Sequence, residues 1–334
     1  MLYVLHGDSI SLHSQEKLKN TIKEFSNASL EFINMGDRFN KTWGKTFGKY
    51  HFSKEIFFKL IIPSTFPKYS KIIITDVDVL WLGDVSEEFN RFSCKENYYI
   101  GGYGPLKQRK KEKIQGFVKN YYKHFKKNEI HRFFNVGAGL LIYNLEKMRK
   151  DNIENLFIQF AFKNSHLLVL PEQDIINYIC YPKIKIISKN GLITPHHFLN
   201  FDTEEKLNNA SWSKEEILEA RNNPIQFHYA GSAKPWLVYN SFKSSDWFRF
   251  LAKTNYLEEW LENAYKYKEE YEKYIEIKSI ISTSIFEIGK SKSHIRFKIK
   301  GCVIILPKAI FRLFKPIYIA ISRFKCLLKS RFKS

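Results

Sequence analysis

Short apolar runs alternate with amphipathic segments over the first two hundred residues. The runs are rich in β-branched residues and predict buried strands, whereas apolar residues three or four positions apart predict helices that pack by one face. The strands are expected at Leu2 to Leu5, Leu30 to Ile33, Lys71 to Thr75, Gly139 to Tyr143 and Ile184 to Ile187. The helices are expected at Ser14 to Phe25, Phe52 to Ile62, Ile153 to Phe162, Gln173 to Tyr181 and, as a charged helix, Leu257 to about Lys273. This alternation indicates an α/β fold.

The composition narrows the class of protein. With 44% hydrophobic and 16% aromatic residues in 334, the chain is not disordered and has enough apolar surface for one large domain or two small ones. The chain contains no signal-peptide pattern and no apolar run of about 18 residues, so a secretory signal or a transmembrane helix is not expected. The four cysteines form no CxxC pair, which argues against a zinc site and fits a reducing cytoplasm.

The formal charge of +20 is concentrated in two segments. Residues 107–127 contain nine Lys or Arg and one acid, and residues 281–334 contain thirteen Lys or Arg and one acid. The rest of the chain has equal numbers of acidic and basic residues. We therefore divide the chain into a main domain, residues 1–279, whose charges balance outside the basic segment 107–127, and a basic tail, residues 280–334.

The tail predicts an amphipathic helix. Four of its basic residues fall within about 80° of a helical wheel, although Pro316 must kink such a helix. These residues are Lys308, Arg312, Lys315 and Arg323, and the apolar ones include Val303 to Leu306, Ile310, Phe311, Phe314 and Ile317. Such segments lie in the plane of anionic membranes, which predicts a cytoplasmic protein held on the inner face of the membrane. The alternative is a solvated tail.

The basic segment at residues 107–127 has two interpretations. Its cations alternate with aromatic residues, including Phe117 and Tyr121, and this mixture could bind an anionic ligand. It is equally typical of a solvated surface helix. Nucleic acid is the rival partner for a chain this basic, but the neutral remainder argues against it.

Two acids follow a predicted strand, in the sequence Asp76-Val77-Asp78. In open α/β sheets, ligands sit outside the carboxyl ends of the strands. Where the strand breaks into a loop, the two carboxylates can converge and supply hard oxygen ligands for Mg²⁺ or Mn²⁺ that also holds a diphosphate. The alternative is a pair of ordinary strand-end acids.

Three further patterns could carry chemistry. The first is the sequence His228-Tyr229-Ala230-Gly231-Ser232-Ala233-Lys234-Pro235-Trp236. Its imidazole could complete a metal site and its lysine could hold a phosphate. Alternatively, His228 and Trp236 could be core residues that flank a turn. Pro171-Glu172-Gln173-Asp174 could face a reacting carbon or only cap a helix. Asn135-Val136-Gly137-Ala138-Gly139 could let a sugar lie against the backbone or form a tight turn.

Together, the order and spacing of these motifs resemble the family-8 retaining glycosyltransferases, which include bacterial lipopolysaccharide galactosyl- and glucosyltransferases. The resemblance runs from about Leu2 to Trp236. Its most specific parts are the stretch from Phe57 through Phe89 and the His228 to Trp236 motif. It implies a GT-A fold, with a Rossmann-like mixed sheet flanked by helices, and transfer of a hexose from a UDP-sugar with Mn²⁺.

The resemblance also implies roles for individual residues. Asp76, Asp78 and His228 would bind the metal. The donor would contact Asp8, Lys59, Asp76, Val77, Asn135, Gly137, Ala138, Gly231 and Lys234. The catalytic group would be Glu172, Gln173 and Asp174, with Gln173 close to the anomeric carbon. The implied acceptor is a lipid-linked surface glycan such as lipopolysaccharide.

Three positions depart from the family pattern. Lys59 stands where Arg is usual and cannot give its bidentate fork. Glu172 stands where Asp is usual. Gly137 stands where the family has Asn, so either Asn135 still reaches the sugar or a donor contact is missing. These departures leave open the choice between glucose and galactose.

Overall fold

The computed structural model describes most of the chain up to residue 264 and three short stretches beyond it. The described residues are 1–8, 10–24, 28–47, 52–104, 121–187, 193–196, 203–208, 213–231, 233–237, 241–264, 287–290, 294–299 and 302–307. The chain divides into two compact units, Met1–Leu257 and Glu258–Ser334.

Among the described residues of the first unit there are eight strands, and they form both parallel and antiparallel pairs. The strands are β1 (Leu2–His6), β2 (Leu30–Asn34), β3 (Lys71–Thr75), β4 (Val79–Trp81), β5 (Ile100–Gly102), β6 (Leu140–Asn144), β7 (Ile184–Ile186) and β8 (Gln226–His228). β1 pairs with β2 in parallel, and β3-β6-β5-β7 form a sheet in which only β5 and β7 are parallel. β4 pairs with β8 in an antiparallel register. The predicted strands are thus present, together with three short ones.

Helices connect these strands. They are α1 (Leu12–Lys23), α2 (Asn40–Lys45), α3 (Ile62–Thr65), α4 (Ser86–Arg91), α5 (Leu145–Lys150), α6 (Ile153–Asn164), α7 (Pro171–Cys180), α8 (Glu204–Asn208), α9 (Lys214–Asn222) and α10 (Ser244–Leu251). Short 3₁₀ helices run over Lys54–Ile61, Ile130–Phe133 and Ser165–Leu167. Among these helices, α1 and α9 have side-chain caps at their N-termini. The Ser11 side chain accepts a hydrogen bond from the Ser14 N–H at the start of α1, and Ser213 forms a capping box with Glu216 at the start of α9.

One predicted helix is of a different type in the structure. Most of the segment expected to be helical from Phe52 to Ile62 is a 3₁₀ helix, Lys54–Ile61, and Pro63 lies in the first turn of α3 instead of ending a helix. Proline is tolerated in the first turn of a helix because its missing N–H would have no partner there. The 3₁₀ helix buries Phe57, Phe58 and Lys59, so it brings a cation into the interior beside aromatic side chains.

The main core lies between the central strand β6 and the helices on one face of its sheet. All five residues of β6 are buried, because strands pair with it on both sides and helices cover it. Phe57, Phe133, Phe157 and Ile176 are fully buried in this core. Packing of helices against a mixed sheet confirms the predicted α/β class.

In the tail, the described residues form three strands before Lys308, and the basic residues on which the helix prediction rests lie beyond them. β9 (Glu287–Lys290), β10 (His294–Ile299) and β11 (Cys302–Pro307) make an antiparallel meander. Val303 to Leu306, counted above as apolar residues of a helix, lie in β11. The basic residues from Lys308 onward lie outside the described residues. In the part of the chain that the structure describes, no helix has the length and apolarity needed to cross a membrane.

Candidate active site

The two acids of the Asp76-Val77-Asp78 sequence lie where β3 ends and β4 begins. Pairing of β4 with β8 aligns Val79 with His228, and the Tyr229 N–H donates to the Asp78 carbonyl over 2.8 Å. The strand pair therefore places the histidine directly beside the acids. Val77 points outward and is 94% exposed.

The two carboxylates and the imidazole face one another. His228 Nε2 lies 3.1 Å from Asp78 Oδ1 and 3.5 Å from Asp76 Oδ2. One ligand atom from each of the three residues lies within 4.8 Å of the others. Carboxylate oxygens suit Mg²⁺ and Mn²⁺, and an imidazole nitrogen is a common ligand of first-row transition metals. This donor set fits a divalent metal ion.

Each acid uses its second oxygen to bind a lysine. Asp76 Oδ1 accepts from Lys59 Nζ, and Asp78 Oδ2 accepts from Lys234 Nζ, which also donates to the Tyr229 carbonyl over 2.6 Å. Partners of this kind fix the orientation of metal-binding carboxylates. The two lysines thus leave Asp76 Oδ2 and Asp78 Oδ1 directed toward His228.

These contacts shift the pKa values of the charged groups. Burial would raise the pKa of Asp78, but the hydrogen bond from His228, with Lys234 beside it, holds the pKa well below its usual range. Burial would lower the pKa of Lys59, yet Asp76 and Glu172 raise it above its ordinary value. Asp78 is thus anionic and Lys59 cationic at neutral pH.

Lys59 joins the acids to the helix that carries the other candidate residues. Its ammonium donates to the Ala138 carbonyl over 3.1 Å and lies 3.4 Å from Glu172 Oε1. Burial raises the pKa of Glu172, while Lys59 opposes that shift. Glu172 Oε2 is buried and has no hydrogen-bond partner among the described residues.

Helix α7 holds the glycine-containing loop through two side chains one turn apart. Gln173 Oε1 accepts from the Ala138 N–H over 3.0 Å. Asn177 accepts from the N–H groups of Asn135 and Val136, at 3.1 and 2.8 Å, and donates to the Val136 carbonyl. Asn177 is a residue that the sequence interpretation missed, and the available signal was a polar residue four positions after Gln173 on a buried helix face.

The side chain of Asn135 bonds to the backbone of the 3₁₀ helix that precedes it. Its side-chain amide donates to the carbonyls of His131 and Arg132, at 3.4 and 2.8 Å, and so completes the preceding 3₁₀ helix. The Gly137 N–H donates to the Tyr103 carbonyl over 3.1 Å.

Asp174 lies apart from the charged cluster, although it follows Gln173 directly. It is fully buried, and its Oδ2 accepts from the hydroxyl of Tyr121 and from the Leu170 N–H. Burial raises its pKa to about 8. Tyr121 belongs to the basic segment, of which residues 107–120 lie outside the described residues.

The remaining donor candidates lie on two loops. Asp8 follows β1 and accepts from Asn34, which ends the parallel neighbour β2, so both polar groups stand at the carboxyl edge of the same strand pair. Gly231 adopts a φ of +95°, a backbone conformation that other residues rarely accept. Ser232 lies outside the described residues.

Known proteins are similar to this chain in sequence. The model of Glycosyl transferase family 8 matches residues 1–239. General stress protein A of Bacillus subtilis is 24% identical over 241 residues, which are 70% of this chain and 76% of that protein. A putative glycosyltransferase of Haemophilus influenzae is 28% identical over 166 residues, half of this chain and 44% of that protein.

Solved structures show the same fold. A galactosyltransferase, LgtC, in complex with donor and acceptor sugar analogs, superimposes with a TM-score of 0.60 at 14% identity, over 78% of this chain and 99% of that one. The bifunctional glycosyltransferase WbbM gives a TM-score of 0.57 at 18% identity, over 78% of this chain but only 51% of that one. Together with the match over residues 1–239, which includes Asp76, Asp78 and His228, this places the chain in glycosyltransferase family 8.

Proposed function

We propose that the protein transfers glucose or galactose from a UDP-sugar, with Mn²⁺, to a lipid-linked surface glycan such as lipopolysaccharide, with retention of the anomeric configuration. Membership of a glycosyltransferase family supports a sugar donor and an acceptor. The observation that carries the metal-dependent part is the convergence of Asp76, Asp78 and His228. The imidazole favours a transition metal such as Mn²⁺ over Mg²⁺.

The proposed transfer breaks one bond and makes one on the same face of the sugar. The bond from the anomeric carbon to UDP breaks, and its electron pair remains on the diphosphate. The acceptor hydroxyl oxygen bonds to that carbon, and its proton passes to the departing diphosphate. Both events pass through an oxocarbenium-like state, because a carboxamide such as that of Gln173 is a poor nucleophile.

The residues of the site have separate roles in this proposal. When bound, a divalent ion neutralises the charge that develops on the diphosphate. The ammonium group of Lys234, which lies beside Asp78, places a second positive charge next to the diphosphate. Gln173, held against Ala138, stabilises the electron-poor sugar, and Lys59 orients Asp76 and Glu172.

The proposed acceptor and the proposed location both rest on the charge of the two basic segments. A phosphorylated glycan core is anionic, and residues 107–127 carry nine basic residues against one acid. The tail, with thirteen basic residues against one acid, would hold the enzyme on the cytoplasmic face of an anionic membrane, where a lipid-linked acceptor is exposed.

A donor screen tests the proposal. The full chain is incubated with Mn²⁺ and with UDP-glucose, UDP-galactose or UDP-N-acetylglucosamine without acceptor, and slow release of UDP is measured. We expect hydrolysis of one hexose donor, loss of hydrolysis with EDTA and recovery on adding Mn²⁺. Failure of all three donors, together with no Mn²⁺-dependent UDP binding, would contradict the function. A salt-dependent shift with duplex DNA in that case would favour nucleic-acid binding.

A further inference from the structure

A buried tyrosine is bonded to the helix that carries Gln173. Tyr121 is 1% exposed, and its hydroxyl donates to Asp174 Oδ2. The same hydroxyl accepts from the Val169 N–H over 2.8 Å, and the same carboxylate oxygen accepts from the Leu170 N–H over 2.8 Å. These bonds close a ring through two side chains and the backbone that leads into α7.

The ring lies at the first turn of α7, where the backbone N–H groups lack helical partners. Leu170 is the residue that caps this helix, and its own side chain makes no capping bond. The Asp174 carboxylate supplies the missing acceptor from within the helix. The first turn, including Glu172 and Gln173, is therefore fixed by side chains and not by the helical ladder alone.

The tyrosine is itself held in place by aromatic packing. Its ring stacks on Phe133 at 4.6 Å between centroids and contacts Phe125 edge-on at 6.0 Å. Because hydroxyl and ring are fixed separately, removing the hydroxyl should release the helix start without emptying the core. A substitution to phenylalanine therefore isolates the hydrogen bond.

We infer that Tyr121 and Asp174 are positioning residues, which hold the first turn of α7 so that Gln173 keeps its place against the Ala138 loop. This rests on the proposed function, because it assigns Gln173 a role at the sugar. Asp174 is then not a catalytic residue. Its carboxylate is directed into the interior, where Oδ1 meets no hydrogen-bond partner among the described residues.

The experiment compares Tyr121→Phe with Tyr99→Phe in the full chain. Tyr99 is a matched control, because its hydroxyl also bonds an aspartate, Asp151, over 2.7 Å, but at the far end of β6. Hydrogen exchange of the peptide covering Val169 to Asn177 and the kcat and KM for UDP-sugar hydrolysis are measured for both variants.

We expect faster exchange in that peptide for Tyr121→Phe alone, with kcat lowered about tenfold and KM changed less than about twofold, as for a small misplacement of a reacting group. Asp174→Asn, which keeps an acceptor oxygen, should retain more kcat than Asp174→Ala. Unchanged exchange in Tyr121→Phe, or equal losses of kcat in Tyr121→Phe and Tyr99→Phe, would overturn the inference. If no donor is hydrolysed by the unsubstituted protein, the proposed function fails, while exchange still decides whether Tyr121 holds the helix.

Discussion

At the scale of single residues, the geometry of the site depends on which partner each carboxylate oxygen of Asp76 and Asp78 faces. Asp76 and Asp78 each direct one oxygen to a lysine and one toward His228. Removing a lysine would leave a carboxylate free to rotate, and removing an acid would take a carboxylate partner from a cation that is at least partly buried. The lysines and acids of this cluster therefore act as one unit, and single substitutions will not have additive effects.

Asp78→Asn should abolish metal-dependent activity while the protein stays folded. The amide keeps the shape of the side chain but loses the anionic ligand oxygen, so donor hydrolysis should fall by at least about two orders of magnitude. The stabilisation of the protein by Mn²⁺ with UDP, measured as a rise in Tm, should disappear as well. Asp151→Asn, which removes a surface acid bonded to Tyr99, should retain both. Full activity in Asp78→Asn would refute the metal assignment.

Asp174 should make stability depend on pH. Its pKa rises from 3.8 when unfolded to about 8 when folded, because of burial. The folded protein then holds more protons than the unfolded chain between these values, so the free energy of unfolding falls as pH rises from about 4 to 8, by at most about 1.4 kcal/mol per unit. Asp174→Asn should remove this slope in denaturant titrations.

Asp151→Asn is the control for that slope. The hydrogen bond from Tyr99 lowers the pKa of Asp151, so this acid contributes stability that is lost only as pH falls below its usual range. Its substitution should change the acid limb and leave the pH 5 to 8 region alone. An identical slope in the original protein and Asp174→Asn would contradict a raised pKa.

At the scale of elements, the site depends on segments that meet from distant parts of the sequence. The β4–β8 pair brings residue 228 beside residue 78, and the 3₁₀ helix at Lys54–Ile61 brings Lys59 beneath Asp76. The loop after Phe133 is held from one side by Asn177 and from the other by the chain at Gly104. A Cβ on Gly104 would lie 1.9 Å from the Asn135 carbonyl oxygen.

Gly104→Ala should therefore displace the loop that carries Ala138. The atom that the new methyl group would meet belongs to the backbone, which cannot move aside as a flexible side chain can. We therefore expect the free energy of unfolding to fall by about 2 kcal/mol or more and donor hydrolysis to be lost. Gly44 in α2 is the matched control, because a Cβ there meets nothing within 4 Å. Gly44→Ala should be neutral or stabilising by up to about 1 kcal/mol. Equal stability of the two variants would show that the loop adjusts.

At the scale of the whole molecule, charge and fold divide the chain differently. The family match covers residues 1–239, whereas the strongest basic charge begins after residue 280. The compact units divide at Leu257, and the sequence places the domain boundary at residue 279. Membrane association is thus proposed for a part of the chain that lies beyond the family match.

The tail should be needed for membrane binding. The full chain is expected to sediment with anionic liposomes, and a chain ending at Ser279 is not, because each Lys or Arg near an anionic surface contributes about 1 kcal/mol. Binding should weaken as salt rises and should be absent with neutral liposomes. Equal sedimentation of both chains would rule out this role for the tail.

The sequence by itself predicted the α/β class, most strands of the first unit, and the grouping of Asp76, Asp78 and His228, because strand-forming runs and motifs are local patterns. It did not predict the 3₁₀ form of the helix around Lys59 or the strands of residues 287–307, since burial and pairing override local periodicity. Only the tertiary structure decided which oxygen of each acid faces His228 and that Asn135 is used by the 3₁₀ helix before it. Only the tertiary structure also joined Tyr121 to Asp174, because hydrogen bonds between residues 53 positions apart depend on packing that no local pattern encodes.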